Sequence, residues 1–180
     1  MDLKIHFGCG KDYKVGWVNL DLGKGADYWV DVRNPLKIKT EKVSYIYSSH
    51  MIEHLEHHEL LFHLQECFRL LKGGGVLRIG IPDFEMLIKG YGNAEVLNRY
   101  KNVVSGSTFQ IPDEDICYMD LLNRAFYEFG QHKIVINFEK IKKLLTLVGF
   151  KSEHIEVVEF DASIDMLERK NATFYVQAIK

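Results

Sequence analysis

The first half of the chain alternates short apolar runs with one longer amphipathic segment. Strands are predicted where runs rich in β-branched and aromatic residues are followed by glycine, aspartate, serine or proline: residues 3–7, 17–20, 28–30, 43–47 and 76–81. Residues 53–71 place apolar side chains three or four positions apart, which predicts a helix, and the glycines at 73–75 are expected to end it. Strands that alternate with a helix indicate a parallel sheet covered on both faces.

The alternation breaks over residues 84–131, where glycines and a proline lie among short helical pieces predicted at 94–104 and 116–126. This segment is too short for a core of its own. It is therefore predicted to be a cap insert within a single domain that spans residues 1–180.

The pattern resumes after the cap insert. Asn137 is a favourable N-cap, an apolar stripe follows it, and Gly149 is placed to end the helix. Strands are predicted at residues 155–160 and 173–179, and they complete the alternating pattern.

Composition narrows the class of protein. A net charge of -2 and a pI of about 6.4 provide no basic face for duplex nucleic acid, so no nucleic-acid partner is expected. The three cysteines are odd in number and widely spaced, which argues against a disulfide framework or a thiolate zinc site and fits a reducing compartment. Because no signal-peptide pattern or membrane-length apolar stretch is present, a cytoplasmic protein without a membrane partner is expected.

The first predicted strand ends in Gly8-Cys-Gly10, and the second ends at Asp21. A strand that ends in Gly-x-Gly can turn sharply and bring its backbone into contact with a ligand. An acid at the end of the next strand can accept hydrogen bonds from ribose hydroxyls. The two features together indicate a nucleoside pocket. The third glycine of a dinucleotide fingerprint is absent, which argues against a nicotinamide cofactor.

A histidine-rich run follows the fourth predicted strand. His50, Glu53 and His54 spell H-x-x-E-H, the inverted zinc-peptidase signature, in which the two histidines share a helix face and the glutamate acts as general base. The run lies at a strand-to-helix junction, and the sequence shows no third ligand. No metal site is therefore predicted.

Two other groups of polar residues are candidates for the same crevice. Ser48, Ser49 and His50 come at the carboxyl end of the fourth strand and are expected to face the crevice beside Gly8. His132 lies in a polar link, where burial for packing alone is not expected, and an imidazole can take a proton near neutral pH.

The order of these motifs resembles the class I S-adenosylmethionine-dependent methyltransferases, and most closely a small group similar to the type 11 methyltransferase domain. The resemblance implies a doubly wound α/β fold with a mostly parallel seven-stranded sheet, an antiparallel seventh strand and S-adenosylmethionine as cofactor. Five segments carry it: Phe7–Lys11, Val18–Asp21, Asp31 with Pro35, Tyr47–Leu55 and Arg69–Asp83.

The resemblance also implies a role for individual residues. Gly8, Cys9 and Gly10 would wrap the methionine and ribose, and Asp21 would hold the ribose hydroxyls. Leu22, Asp31 and Val32 would contact the adenine, and Ser48–His50 would lie beneath the sulfonium. The complete set of residues implied for the cofactor is Phe7, Gly8, Cys9, Gly10, Lys11, Asp21, Leu22, Asp31, Val32, Ser48, Ser49 and His50.

The connector over residues 11–16 is too short for the first helix of this family. The methionine carboxylate is therefore expected to depend on Lys11 or Lys14 instead of on a helix terminus.

The expected function is methyl transfer to a small-molecule or saccharide-like acceptor beneath the cap insert, with His132 and His50 as candidate catalytic residues. A base is required only if the acceptor is a hydroxyl or a protonated amine. Two alternatives remain open at this stage. One is a zinc-dependent hydrolase that uses His50, Glu53 and His54, and the other is a non-catalytic nucleoside-binding module.

Overall fold

The computed structural model describes residues 2–101 and 112–180. Within these ranges, seven strands form one sheet in the order β3-β2-β1-β4-β5-β7-β6. All of them run in one direction except β7, which pairs antiparallel with β5 and β6. This confirms the predicted sheet with its antiparallel seventh strand. The strands are β1 (Leu3–Phe7), β2 (Val18–Asp21), β3 (Tyr28–Trp29), β4 (Val43–Ser49), β5 (Leu71–Pro82), β6 (Ile155–Val158) and β7 (Thr173–Ile179).

The α-helices of the described ranges flank this sheet or lie in the cap insert. Residues 102–104 of the helix predicted at 94–104 lie outside the described residues. No helix of the described part of the chain is both long and apolar enough to cross a membrane. The α-helices are α1 (His57–Leu70), α2 (Phe84–Lys89), α3 (Ala94–Lys101), α4 (Tyr118–Tyr127) and α5 (Phe138–Leu147).

The main core lies between one face of the sheet and helices α1 and α5. Alternate residues of a strand point to opposite faces, so Ile5 and Phe7 of β1 share a face and pack in this core with Leu64 of α1 and Leu145 of α5. Asn137 caps α5 as predicted, because its side-chain oxygen accepts a hydrogen bond from the backbone N–H of Lys140 at 2.9 Å.

Connectors cover the other face of the sheet. Trp17, before β2, stacks edge-on against Tyr45 of β4 with ring centroids 5.4 Å apart. The link between β6 and β7 places Asp165 against the buried guanidinium of Arg78, which extends from β5. Since residues 8–17 contain no helix, the short first connector predicted from the sequence is confirmed.

The region around α1 differs from its predicted boundaries. The helix begins at His57, after a 3₁₀ turn at Ile52–His54, and the chain passes from Leu70 directly into β5. The glycines at 73–75 therefore lie within β5 and do not end the helix. Leu71 pairs with Val43, and a register shift in the β4–β5 pairing absorbs the glycines as a bulge.

The cap insert forms a small apolar cluster of its own. Leu87, Ile116, Tyr118 and Leu121 pack together with Ala172, which precedes β7. Helices α2 and α4 face each other across these side chains, and Ala172 joins the cluster to the rest of the domain.

Candidate functional site

The strand order reverses between β1 and β4, and the loops that follow β1, β2 and β4 meet there. In open α/β sheets, ligands bind at such a point, outside the carboxyl ends of the strands. The loops enclose the first cleft, which has a volume of about 340 Å³. It is lined by Gly8, Leu20, Asp21, Leu22, Val30, Asp31, Val32, Arg33, His50, Met51, His54 and Leu55.

Gly8 provides a wall of bare backbone. Its φ of 63° lies in the left-handed region, and its N–H donates to the carbonyl of Leu20 at 2.9 Å. A Cβ at this position would lie 2.6 Å from Cγ of Met51. Any side chain would therefore clash there, and only glycine leaves the turn intact.

The carboxylate of Asp21 is held in a fixed orientation at the end of β2. One oxygen accepts the N–H of Gly10 at 2.8 Å, and the other accepts the N–H of Gly23 at 2.6 Å. Each carboxylate oxygen can accept a second hydrogen bond. The side chain therefore retains capacity for two hydroxyl donors in the cleft.

Asp31 lies on the cleft wall, but its carboxylate is already paired. Nε and Nη2 of Arg33 donate to its two oxygens, each at 2.8 Å. The hydrogen bond from Arg33 holds the pKa of Asp31 below its ordinary value, against a smaller opposing effect of burial. An adenine amino group would meet a carboxylate that shares its acceptor capacity with a neighbouring arginine.

Six residues implied by the family resemblance do not lie on the wall of the first cleft: Phe7, Cys9, Gly10, Lys11, Ser48 and Ser49. Phe7 is fully buried in the core. Ser48 and Ser49 are also buried, because they are still part of β4 and alternate between the two faces of the sheet instead of reaching past its end. Gly10 acts on the cleft indirectly, through its bond to Asp21.

The lysines proposed for the methionine carboxylate are also placed differently. Nζ of Lys14 lies 2.8 Å from a carboxylate oxygen of Asp12 and donates to the carbonyl of Ile164 at 2.5 Å, so its charge is already paired. Lys11 is exposed and does not line the cleft.

Six lining residues were not predicted to contact the cofactor, and most of them carried no sequence signal for such a role. They are Leu20, Val30, Arg33, Met51, His54 and Leu55. Only Met51 and His54 could have been found, since both lie within the H-x-x-E-H run that begins at His50.

His50 stands at the carboxyl end of β4 in an unusual backbone conformation, with a φ of 51°. Its Nε2 lies 2.7 Å from Oγ1 of Thr173. Burial, followed by the charge of Arg169, lowers its pKa to about 3, so the ring is neutral at physiological pH. His50 and His54 do not share a helix face, because His50 precedes the 3₁₀ turn and α1 begins only at His57.

A second cavity of about 290 Å³ adjoins the first cleft. His50 and His54 line both spaces, so they form the boundary between them. The other lining residues come from the 3₁₀ turn before α1, the end of β5, the cap insert and the segments before α5 and β7: Glu53, Pro82, Asp83, Leu87, Leu121, Arg124, Ala125, Glu128, His132, Arg169 and Ala172.

His132 lines this second cavity rather than the first cleft. Its Nδ1 lies 2.5 Å from the carbonyl oxygen of Ala125. A carbonyl can only accept, so Nδ1 carries the proton and Nε2 is left as an acceptor. The ring lies edge-on to His54, with centroids 4.8 Å apart. Burial lowers the pKa of His132 and therefore favours the neutral form, which can take up a proton.

Glu53 lies completely buried beneath the histidines. Neither of its carboxylate oxygens has a hydrogen-bond partner among the described residues, and the nearest ring nitrogen, Nδ1 of His50, is 3.7 Å from Oε1. Burial raises the pKa of Glu53 to about 8. Its backbone carbonyl accepts the N–H groups of Lys133 and Ile134, which brings the segment around His132 to this position.

The strand order, the antiparallel β7 and the cleft at the switch point together define the fold of class I S-adenosylmethionine-dependent methyltransferases. Neither a family model nor a curated protein sequence matches the chain. Solved structures do. A SAM-dependent methyltransferase from Archaeoglobus fulgidus matches with a TM-score of 0.61 at 16% identity, over 99% of this chain and 86% of that chain.

Two further solved structures show the same likeness. A Thermotoga maritima SAM-dependent methyltransferase, described as a "possible histamine N-methyltransferase", has a TM-score of 0.60 at 15% identity, over 100% of this chain and 83% of that chain. A methyltransferase from Mesorhizobium loti has a TM-score of 0.54 at 16% identity, over 99% of this chain and 90% of that chain. At such identities the likeness establishes the fold.

Proposed function

We propose that this protein transfers a methyl group from S-adenosylmethionine to a small polar acceptor held in the second cavity. The observation that carries the proposal is the arrangement of two adjoining spaces at the switch point of the sheet. The first cleft presents the oriented carboxylate of Asp21, and the second shares His50 and His54 with it. A donor and an acceptor bound in these spaces would meet at the shared histidines.

The residues of the first cleft suit the nucleoside part of the cofactor. Asp21 offers acceptor capacity for the two ribose hydroxyls, Gly8 allows close approach of the ligand to the backbone, and Leu22 and Val32 offer apolar surface to the adenine. When bound, S-adenosylmethionine supplies an electrophilic methyl group on a positively charged sulfur. The protein's main contribution is then to align the acceptor with that methyl group, which is a proximity effect.

The second cavity suits a polar acceptor. Its lining includes Arg124, Glu128 and Arg169 beside the three histidines, so hydroxyl and amine groups would find partners there. Nε2 of His132 is positioned to accept a proton from such a group, and His50 would orient it from the other side. A saccharide-like molecule fits this chemistry.

The zinc-hydrolase alternative loses its main support. The H-x-x-E-H signature requires both histidines on one helix face. Here His50 has a left-handed backbone conformation and lies before the 3₁₀ turn that contains His54. We therefore do not propose hydrolysis.

The test has two stages. Calorimetric titration with S-adenosylhomocysteine is expected to show one site per chain, weakened in Asp21→Ala. Incubation with methyl-labelled S-adenosylmethionine and a panel of sugars, amines and thiols is then expected to give a labelled product that Asp21→Ala forms more slowly. Binding without transfer to any member of the panel would favour a non-catalytic nucleoside-binding module, and the absence of binding would contradict the proposal.

A further inference from the structure

Three potential ligand atoms from distant parts of the chain converge at the boundary of the second cavity. One ligand atom each from Glu53, His54 and His132 lies within 4.8 Å of the other two. Glu53 and His54 belong to the 3₁₀ turn before α1, whereas His132 follows the cap insert. The sequence showed no third ligand for the histidine-rich run, and the fold supplies one.

Both histidines are oriented as metal ligands usually are. Nδ1 of His54 donates to the carbonyl of Gln131 at 3.3 Å, and Nδ1 of His132 donates to the carbonyl of Ala125 at 2.5 Å. A backbone carbonyl behind the ring fixes the tautomer, so that Nε2 carries the free lone pair.

The buried carboxyl group of Glu53 is independent evidence for a ligand at this position. A carboxyl group that is fully buried without a hydrogen-bond partner is costly, and such groups are normally hydrogen-bonded or bound to a metal. The positive charge of Arg169, on the same cavity wall, acts on Glu53. However, Nη1 of Arg169 donates to the carbonyl of Ser49 at 2.5 Å, and no hydrogen bond joins Arg169 to the carboxyl group of Glu53. The carboxylate is therefore left without a bonded cation among the described residues.

We propose that Glu53, His54 and His132 form a binding site for a zinc-class divalent metal ion at the edge of the second cavity. Two imidazole nitrogens and one carboxylate oxygen are ligands that zinc accepts, and three protein ligands leave a fourth position open. Bond lengths of about 2.0–2.1 Å imply ligand atoms roughly 3.3 Å apart, so a pair of ligand atoms 4.8 Å apart would close by about 1.5 Å when the ion binds.

The site does not depend on the proposed methyltransferase function. If both proposals are correct, the open position would face the acceptor, and the ion would activate an oxygen or nitrogen of that molecule beside the boundary with the first cleft. Nε2 of His132 would then be bound to the ion, so the general-base role of His132 would apply to the metal-free protein. The sequence predicted no metal site because it showed no third ligand for the histidine-rich run. In the structure His132 can serve as that ligand.

The test uses untagged, chelator-treated protein that is loaded with zinc, dialysed and analysed for bound metal. About one zinc per chain is expected in the wild type. His54→Asn and His132→Asn are the sharpest variants, because asparagine can keep the hydrogen bond made by Nδ1 while it removes the ligand atom Nε2. Each is expected to lower zinc affinity at least tenfold. His58→Asn, at an exposed histidine of α1, is the matched control and should bind zinc as the wild type does.

Three results would overturn the proposal: a wild type that retains no zinc, a His132→Asn variant that retains as much as the wild type, or an equal loss in His58→Asn. Cobalt(II) absorption provides a second readout, since loss of a nitrogen ligand changes the spectrum. Circular dichroism of every sample shows that the variants are folded. Titration with S-adenosylhomocysteine separates the two proposals, because zinc binding without S-adenosylhomocysteine binding would contradict only the proposed function.

Discussion

Asp21 is the residue on which cofactor binding should depend most, and its replacement can be assessed from the geometry of β2. In the structure its carboxylate accepts the N–H groups of Gly10 and Gly23, and we propose that it also accepts the ribose hydroxyls. Asp21→Ala removes all of these bonds. Asp21→Asn keeps the shape but replaces one acceptor oxygen with a donor.

A hydrogen bond to a charged group is worth about 1.5–3 kcal/mol. Because about 1.4 kcal/mol corresponds to a tenfold change in affinity, Asp21→Ala should weaken S-adenosylhomocysteine binding about 10- to 150-fold. Asp21→Asn should lie between this variant and the wild type. The two glycine N–H groups released by Asp21→Ala are close to solvent, so water can replace the lost acceptor, and only a modest fall in thermal stability is expected.

Isothermal titration calorimetry with S-adenosylhomocysteine measures this effect directly, at a temperature where the unliganded variants are folded. Glu139→Gln is a matched control, because this acid lies exposed on α5, away from both cavities, and should leave affinity unchanged. If Asp21→Ala bound the ligand within twofold of the wild type, the assignment of the ribose contact would be refuted.

Four other predictions concern separate parts of the molecule. In chelator-treated protein, His132→Ala should lower turnover about 10²–10⁴-fold with a hydroxyl acceptor, as expected for loss of a general base, while calorimetry shows unchanged affinity for S-adenosylhomocysteine; unchanged turnover of folded protein would contradict this role. Asp165→Ala should cost about 3–5 kcal/mol in urea unfolding, because it leaves the buried charge of Arg78 unpaired, and Arg78→Met in the same chain should recover much of the loss. Burial lowers the pKa of His63 to about 4, so the folded state binds fewer protons than the unfolded state between pH 6.5 and 4. The free energy of unfolding should therefore decrease as the pH is lowered from 6.5 to 4. His63→Leu should reduce the slope of the unfolding free energy against pH by up to about 1.4 kcal/mol per pH unit, and an unchanged slope would argue against the assignment. Cys117 is exposed and the other two cysteines are buried, so one thiol per native chain should react rapidly with a thiol reagent and three in denaturant; rapid reaction of two or three in the native protein would contradict the burial.

The parts of the fold that could be predicted from the sequence are those determined by local rules. A glycine turn at the end of an apolar run located Gly8, and an acid at the end of the next run located Asp21. The N-cap at Asn137 was equally local. Each of these depends on a few neighbouring residues, and periodicity and capping preferences describe such neighbourhoods well.

The residues that were misplaced depend on tertiary pairing. Ser48 and Ser49 follow the predicted end of the fourth strand, but pairing with β5 extends β4 through them and buries both. The glycines at 73–75 resemble a helix stop, yet the pairing of Leu71 with Val43 draws them into a strand. Hydrogen-bond partners across the sheet decided both outcomes, and the local sequence does not specify them.

The convergence of His132 with His54 could not be predicted for a similar reason. The two residues lie on either side of the cap insert, and they meet because the N–H groups of Lys133 and Ile134 bond to the carbonyl of Glu53. No spacing rule connects positions so far apart in the sequence. A histidine in a polar link was recognised as a candidate, but its neighbours could not be identified.

The central claim is that the first cleft binds S-adenosylmethionine, and calorimetric titration of the wild-type protein with S-adenosylhomocysteine tests it most directly. One site per chain with a micromolar dissociation constant is expected, together with an increase in the melting temperature. A titration that shows no heat, with no thermal shift for either S-adenosylhomocysteine or S-adenosylmethionine, would contradict the claim.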